Sequence, residues 1–248
     1  IDDEYSFTET LQAVSPREVK LIDRCDQVIV HSPRLMERKG YLNKKTAMIP
    51  NGVDFESYSK PHPEPEDLAN IPRPRIGYIG VIKKQLNLSL LIEFAIANPA
   101  LSVVMVGPVQ AKHGIDSQLD QLQAMNNVYF LGMKPLKQLP AYSRHLDVGL
   151  LPYQVNDYTN CIYPLKLHEY LASGIPVVST PIESVLQYTD IVSIASDAPG
   201  FGMAVQRELD SLTNGTSLVE KRQELASRHD WKIITDQVAA LICEGLGE

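Results

Sequence analysis

The sequence has 248 residues, of which 44% are hydrophobic, so the chain can bury the core of one large or two small domains. Its formal net charge is −7, and no run of lysine and arginine is interleaved with aromatic residues, which argues against a nucleic-acid partner. The three cysteines, Cys25, Cys161 and Cys243, are widely spaced, which argues against disulfides and a zinc site and favours a reducing compartment. No apolar run approaches the roughly 20 residues that a membrane span requires.

Helices and strands are both predicted in the first part of the chain, residues 1–56. The predicted elements are a helix at 15–25, a strand at 27–32, a helix at 33–40 and a strand at 46–50. The sequence starts with Ile1 in place of methionine and resembles an internal segment of a longer sequence. We therefore expect residues 1–56 to be the end of a domain that is incomplete here.

A proline-rich segment at 57–74 separates this part from a regular alternation of strands and helices. Because proline lacks an amide donor and interrupts helices, the segment is predicted to be a linker. The elements predicted after it are strands at 75–80, 101–107, 127–132, 147–153, 176–180 and 190–195, and helices at 88–98, 116–125, 136–145 and 164–173. Strands that are apolar on both faces and alternate with helices predict a doubly wound parallel sheet, a Rossmann-like α/β fold, over 75–228. Residues 229–248 are predicted to be a final amphipathic helix.

The segment NCIYPLKLHEYLASGIPVVST, residues 160–180, has the features of a phosphate-binding helix start at the edge of this sheet. Pro164 suits the first helical position and Gly174 suits the left-handed residue that ends the helix. The free amides of Leu165 and Lys166 then face the edge where ligands bind, with the positive end of the helix dipole behind them. Glu169, one turn further on, is placed to accept the hydroxyls of a ribose.

Simpler interpretations of the same residues remain open at this stage. Lys166 and Glu169 are also spaced as an exposed helical ion pair, which stabilises a helix by only a few tenths of a kcal/mol. His168 is expected to be a surface or rim residue, not a catalyst. Cys161 is expected to be a small buried residue, because no partner base is evident.

PLKLHEYLASGIPVVST, residues 164–180, resembles the donor site of glycosyltransferases with the GT-B fold, in particular the family 4 group. CDQVIVHSPRLMERKG followed by MIPNGVDFESY resembles the end of that family's N-terminal domain. NVYFLGMKPLKQLPAYSRHLDVGLLPY resembles the stretch that contacts the nucleotide base. The resemblance implies an incomplete acceptor-side domain at 1–56, a linker at 57–74, a nucleotide-sugar donor-binding domain at 75–228 and a helix at 229–248 that packs back on the N-terminal portion.

The resemblance also implies roles for individual residues. Glu169 matches the residue that binds the ribose, and Leu165 and Lys166 match the amides that hold the pyrophosphate. The remaining donor-binding candidates are Gly80, Lys83 and Lys84 in the first loop of the domain, Gly132, Met133 and Lys134 in the loop that meets the base, and Asn160 and Tyr163 before the helix. Lys83 and Lys84 are equally consistent with a pair of solvated lysines.

One departure from the family pattern concerns the transferred sugar. The family often has two glutamates separated by seven residues, and the position eight before Glu169 is Cys161. The first acid is therefore absent unless Asn160 replaces its hydrogen bonds. The catalytic residues, the sugar and the stereochemical outcome are not predicted.

The sequence and the resemblance together predict the donor-binding part of a hexosyltransferase that uses a UDP- or GDP-sugar and a saccharide or lipid-linked acceptor in cell-surface polysaccharide synthesis. No cofactor is expected, and no metal, because the sequence has no D-x-D triplet. The chain alone is expected to bind the donor without transferring sugar. The expected location is the cytoplasm or the inner face of the membrane, with peripheral association through the missing N-terminal part. The alternatives are a non-catalytic nucleotide-sugar-binding module and a nucleotide-sugar epimerase of the same fold.

Overall fold

The computed structural model describes residues 15–110, 115–216 and 218–246. The opening residues, on which the expectation of a longer protein depends, lie outside these ranges. The strands are β1 Val28–Val30, β2 Thr46–Met48, β3 Arg75–Ile79, β4 Ser102–Val106, β5 Val128–Gly132, β6 Val148–Leu151, β7 Val177–Ser179 and β8 Val192–Ile194. The helices up to the proline-rich segment and through it are α1 Pro16–Arg24, α2 Pro33–Lys39, α3 Phe55–Ser59 and α4 Glu66–Ala69. Those after it are α5 Leu88–Ala97, α6 Asp116–Gln123, α7 Leu139–Arg144, α8 Asp157–Cys161, α9 Leu165–Ala172, α10 Ala198–Thr213, α11 Val219–Ser227 and α12 Trp231–Leu246.

Six strands form one parallel sheet in the order β5-β4-β3-β6-β7-β8. Ile76 of β3 pairs with Val103 of β4 on one side and Val148 of β6 on the other. From β3 the chain runs to one edge of the sheet through β4 and β5, then crosses to β6 and runs to the other edge. The predicted doubly wound parallel sheet is confirmed. Its switch point lies between β3 and β6, where open α/β sheets bind ligands.

The hydrophobic core lies on both faces of this sheet. Every residue of β3, β4 and β6 is buried, as expected for central parallel strands that are covered by helices. Two strands near the amino end of the described chain, β1 and β2, form a separate parallel pair. The predicted linker at 57–74 is not free of helix. Helix α3, preceded by Asp54, runs into its start, and α4, preceded by Pro65, lies within it.

Helix α10 is the longest element that the sequence reasoning did not predict. Its first turns contain Pro199, Gly200 and Gly202, which are poor helix formers. Tertiary contacts override that preference: the Asp197 carboxylate accepts a 2.8 Å hydrogen bond from the Gly200 amide, and proline is tolerated in a first turn. Phe201 is fully buried and meets Phe94 of α5 edge to face, with 5.8 Å between ring centroids.

Removing the α10 cap should lower stability measurably. We expect Asp197→Ala to reduce the free energy of unfolding by about 1 kcal/mol, because the start of α10 loses its side-chain acceptor. Urea unfolding followed by circular dichroism measures the change. Asp120→Ala, at an exposed position inside α6, is the matched control and should change stability by less than about 0.5 kcal/mol. Equal effects of the two substitutions would contradict the capping role.

The carboxyl-terminal helical sequence divides at the predicted place. Helix α11 ends at Ser227, and α12 starts at Trp231. Backbone hydrogen bonds connect the residues at this break to Val53 in the first part of the chain. The Val53 amide donates to the His229 carbonyl at 2.9 Å, and the Trp231 amide donates to the Val53 carbonyl at 3.0 Å. Most of α12 is exposed, so the predicted packing of 229–248 on the N-terminal portion stays a prediction, as do the domain boundaries. Among the described residues, no helix is both long enough and apolar enough to cross a membrane.

Candidate functional site

The candidate site lies at the carboxyl ends of β3 and β6, on both sides of the switch point. The two loops that leave these strands are joined by backbone hydrogen bonds: the Asn87 amide donates to Pro152 at 2.7 Å and the Gln154 amide donates to Gln85 at 2.9 Å. Helix α9 starts directly beside them. Pro164 precedes its first turn and gives it no side-chain cap, so the first amides of α9 are available to a ligand.

Lys166 lies against the end of β3. A methyl group built on Gly80, whose φ is +150°, would lie 1.9 Å from the Lys166 Cε and 2.7 Å from its Nζ, so the end of the Lys166 side chain occupies the space that a β-carbon at position 80 would need. The ammonium is also 5.9 Å from the centroid of the Tyr78 ring. Burial lowers the pKa of Lys166; Glu169 opposes this shift and Lys83 adds to it. A bound anion would offset both unfavourable influences on this cation.

Glu169 lies one turn further along α9. Burial raises the pKa of its carboxyl group, while Lys166 and the neighbouring Tyr58 hydroxyl lower it. The ion pairs within 4.0 Å that the structure describes do not include Lys166 with Glu169, which speaks against the simple ion-pair interpretation. Both groups are partly desolvated, and among the described residues neither has an ion-pair partner within 4.0 Å; such an arrangement is common at functional sites.

Two cavities open beside α9. The helix-start cavity, of about 380 Å³, contains Lys83 and Lys166 and has no Asp or Glu among its described lining residues; the remaining lining includes His31, Asn51, Tyr78, Gln85, Tyr153, Tyr158 and Tyr163. The Glu169 cavity, of about 520 Å³, is lined by Glu169 together with Gly52, Asp54, Ser57, Tyr58, His62, Leu136, Lys137 and Pro140. Leu165 and Trp231 line both cavities. A cationic compartment therefore adjoins one with carboxylates, and the start of α9 lies between them.

Lys134 is placed away from these cavities. Its ammonium pairs with Asp67 at 2.5 Å and lies over the Tyr142 ring, and these residues line a separate cavity under α4. The hydrogen bond to Asp67 raises the pKa of Lys134. The structure thus does not bring Lys134 together with Lys166 and Glu169.

Replacing Lys134 should therefore leave nucleotide binding unchanged. We expect Lys134→Met to change the dissociation constant for UDP or GDP less than about twofold, well under the tenfold that 1.4 kcal/mol produces. Isothermal titration calorimetry measures this. Lys166→Met is the matched variant, and it should lose binding because Lys166 lines the helix-start cavity. A larger loss in Lys134→Met would contradict the assignment of Lys134 to the neighbouring cavity.

The other candidates in the first and third loops differ in exposure. Lys83 is half-buried and lines the helix-start cavity, whereas Lys84 is exposed and lines neither cavity. Gly132 ends β5 with φ +67° and has open space around it, and Met133 is 77% exposed. Their backbone is accessible, but no described contact joins them to Glu169.

The residues before α9 are placed by contacts with other elements. The Asn160 side-chain oxygen accepts a 3.2 Å hydrogen bond from the Glu183 amide. Cys161 is buried, as predicted, and packs with Val30 and Leu35. Neither residue lines the helix-start cavity, whereas Tyr163 does. The position of the family's first acid therefore contributes no side chain to this cavity.

The prediction that His168 is a surface or rim residue is wrong. His168 is fully buried, and its ring stacks on His229 with 3.8 Å between centroids. Its Nε2 is 2.8 Å from the Tyr163 hydroxyl, which is 2.5 Å from the Tyr188 hydroxyl. Burial lowers the pKa of both histidines, which favours the neutral form of the stacked rings. The helical spacing did not reveal this, because the segment that covers His168 lies about 60 residues further along the chain.

Sequence reasoning also missed Tyr58, Asn51 and Trp231. They come from the proline-rich region, the preceding turn and the start of α12, which only the tertiary fold brings to α9. Asn51 is held by a 2.9 Å hydrogen bond to the Tyr163 carbonyl. The one available signal was composition, since Trp231 is the single tryptophan of the sequence.

Fold and site together define a Rossmann-type α/β domain with an uncapped helix start beside Lys166 at the switch point of its sheet. Residues 73–211 match the model of the family described as Glycosyl transferases group 1, and the chain belongs to this family. The resemblance to GT-B glycosyltransferases is thereby confirmed.

Comparisons with individual proteins agree with this family. The chain is 28% identical over 236 residues to the putative teichuronic acid biosynthesis glycosyltransferase TuaH of Bacillus subtilis, covering 92% of this chain and 59% of TuaH. Anabaena HepE in complex with UDP-glucose superposes with a TM-score of 0.74 at 18% identity, over 92% of this chain and 66% of HepE. A glycosyltransferase from Rickettsia africae gives a TM-score of 0.74 at 13% identity, over 95% of this chain and 68% of that one. The chain thus spans about three fifths of TuaH and two thirds of HepE.

Proposed function

We propose that this chain is the donor-binding part of a glycosyltransferase that moves a hexose from a UDP- or GDP-sugar to a saccharide or lipid-linked acceptor in cell-surface polysaccharide synthesis. The observation that supports it most is the contact of Lys166 with Gly80 at the uncapped start of α9, with Glu169 one turn away. Membership of the family and the likeness to TuaH support the reaction class.

In this proposal, the diphosphate of the donor occupies the helix-start cavity. The amides of Leu165 and Lys166, the α9 dipole and the Lys166 and Lys83 ammonium groups stabilise its negative charge, which increases when the bond to the sugar breaks. The partial burial of Lys166 strengthens that interaction, because water screens it less. Glu169 accepts the ribose hydroxyls in the adjoining cavity. The sugar then contacts the helix-start cavity, which has no carboxylate among its described lining residues. Gln85, Asn51 and Tyr158 offer it neutral hydrogen-bonding groups there.

A thermal-shift panel of nucleoside diphosphates and nucleotide sugars tests the donor site. A ligand at a hundredfold excess over its dissociation constant stabilises the folded chain by about 2.7 kcal/mol, which corresponds to a rise of about 5–10 °C for a chain of this size. Wild type should respond to UDP or GDP compounds and Lys166→Met should not. No shift with any member of the panel would refute the proposal.

Extensions of this panel distinguish the two alternative functions and test whether donor binding requires a metal. Turnover of the nucleotide sugar into another nucleotide sugar without acceptor would indicate an epimerase, and binding without transfer by the full-length protein would indicate a non-catalytic module. Metal independence stays a prediction, and the thermal shift should persist in EDTA. The cytoplasm or the inner face of the membrane stays the expected location.

A further inference from the structure

We propose that Trp231 contacts the donor where its ribose–diphosphate segment passes from one cavity to the other, and that it selects nucleotides over free diphosphate. This inference rests on the proposed function. Trp231 belongs to neither of the loops that the family resemblance assigned to the donor, because it is the first residue of α12. The structure nevertheless places its indole in the lining of both the helix-start cavity and the Glu169 cavity.

The position of the indole is fixed by contacts on two sides. A methyl group built on Gly52 would lie 2.7 Å from the indole Cδ2 and Cε3 atoms, so the ring packs directly on the Gly52 backbone. The Trp231 amide donates to the Val53 carbonyl at 3.0 Å. Two residues earlier, His229 stacks on His168 of α9 at 3.8 Å. Trp231 is therefore held relative to both the turn at Gly52 and the helix that carries Lys166 and Glu169.

Trp231 keeps accessible surface that the contact with Gly52 does not cover. Trp231 is 42% exposed, a large fraction for the single tryptophan of a chain whose core is otherwise well covered. Leu165, the first residue of α9, is the other residue that lines both cavities. A ligand with its diphosphate on the α9 amides and its ribose at Glu169 has to pass Leu165, and it covers the indole as it does so. Removing this apolar surface from water favours binding.

The same geometry gives a rule for selectivity. Inorganic pyrophosphate fits the helix-start cavity with Lys83 and Lys166 and ends before it reaches Glu169, so it leaves the indole open to solvent. UDP and GDP share the ribose–diphosphate segment and should cover the indole equally, whichever base they carry. Trp231 thus favours a nucleotide over diphosphate alone without choosing between bases.

The single tryptophan makes the test direct, because all tryptophan fluorescence of the chain comes from Trp231. Acrylamide quenching is measured with the 248-residue chain alone and with saturating UDP, GDP or inorganic pyrophosphate, each titrated in parallel by calorimetry. We expect UDP and GDP to lower the quenching constant at least about twofold, since they cover an apolar ring that is now partly exposed, and pyrophosphate to leave it unchanged. Nucleotide binding in calorimetry without a change in quenching overturns this inference and leaves the proposed function intact. Absence of binding by every probe overturns both.

Variants supply an independent measurement. Trp231→Ala should weaken UDP and GDP binding on the order of tenfold and pyrophosphate binding hardly at all, since buried aromatic contacts dominate many binding sites. Ile233→Ala is the matched control, because Ile233 is also on α12 and is 42% exposed but lines neither cavity. Trp231→Phe, which keeps an aromatic ring on Gly52, should recover most of the affinity. Equal losses for UDP and pyrophosphate in Trp231→Ala would show that the residue acts only by holding the fold, and would overturn the inference.

Discussion

Replacing Glu169 by glutamine should weaken binding of UDP or GDP roughly ten- to hundredfold, because charged hydrogen bonds contribute on the order of 1.5–3 kcal/mol. Glutamine keeps the shape of the side chain and removes the charge that, in the proposed donor site, accepts two ribose hydroxyls. Calorimetric titration of wild type and variant with the same nucleotide measures the loss. Glu93→Gln, at an exposed position on α5, is the matched control and should bind like wild type. Equal affinities of Glu169→Gln and wild type would refute the donor-site assignment.

The same substitution should make the free chain more stable at neutral pH. Burial raises the pKa of Glu169 above its ordinary value of 4.5, so the folded state takes up the proton at higher pH than the unfolded state does. Ionised Glu169 therefore destabilises the fold at pH values above its folded pKa, and this penalty disappears as the pH falls through that pKa towards 4.5. Glu169→Gln should melt higher than wild type at pH 7, and the difference should shrink on acidification. Scanning calorimetry at several pH values measures it, and a lower melting temperature of the variant at pH 7 would contradict the pKa shift.

Gly107→Ala should destabilise the chain by roughly 3 kcal/mol or more, because strained backbone and overpacking each cost on the order of 1–3 kcal/mol. Gly107 follows β4 with φ +139°, and a methyl group there would lie 2.1 Å from the carbonyl oxygen of Gly80. Backbone can relieve this overlap only by moving the end of β3. Because Gly80 in turn leaves room for Lys166, the substitution should weaken nucleotide binding even in the fraction of molecules that stays folded.

Denaturant unfolding and calorimetry of the same Gly107→Ala sample separate the two effects. Gly215→Ala is the control for the backbone term alone, since Gly215 has φ +68° with nothing within 4 Å of the added carbon. It should cost about 1 kcal/mol and leave binding intact. Similar stability losses in both variants would mean that the contact between Gly107 and Gly80 contributes little.

The sequence by itself determined the parallel sheet and the helix that starts the site. Fully apolar strands in regular alternation with helices allow few other folds, and proline and glycine at the two ends of α9 placed that helix within one residue, at Leu165–Ala172. Local patterns suffice for such features because they depend on backbone preferences and on periodic burial. The same patterns did not predict α10, since its helix-breaking residues are outweighed by the packing of Phe201 on Phe94 and by the Asp197 cap.

Only the tertiary structure decided which side chains share a cavity. Lys134, in the loop after β5, and Lys166, in the first turn of α9, were both donor-binding candidates, but Asp67 from the proline-rich segment holds the first in a separate cavity, and Gly80 makes room for the second at α9. His168 is buried because His229 covers it, and Trp231 reaches the site because Val53 ties the start of α12 to the turn beside it. These contacts join residues more than 30 positions apart in the chain, so no local periodicity encodes them. The contacts follow from the order of the strands and their loops in the sheet.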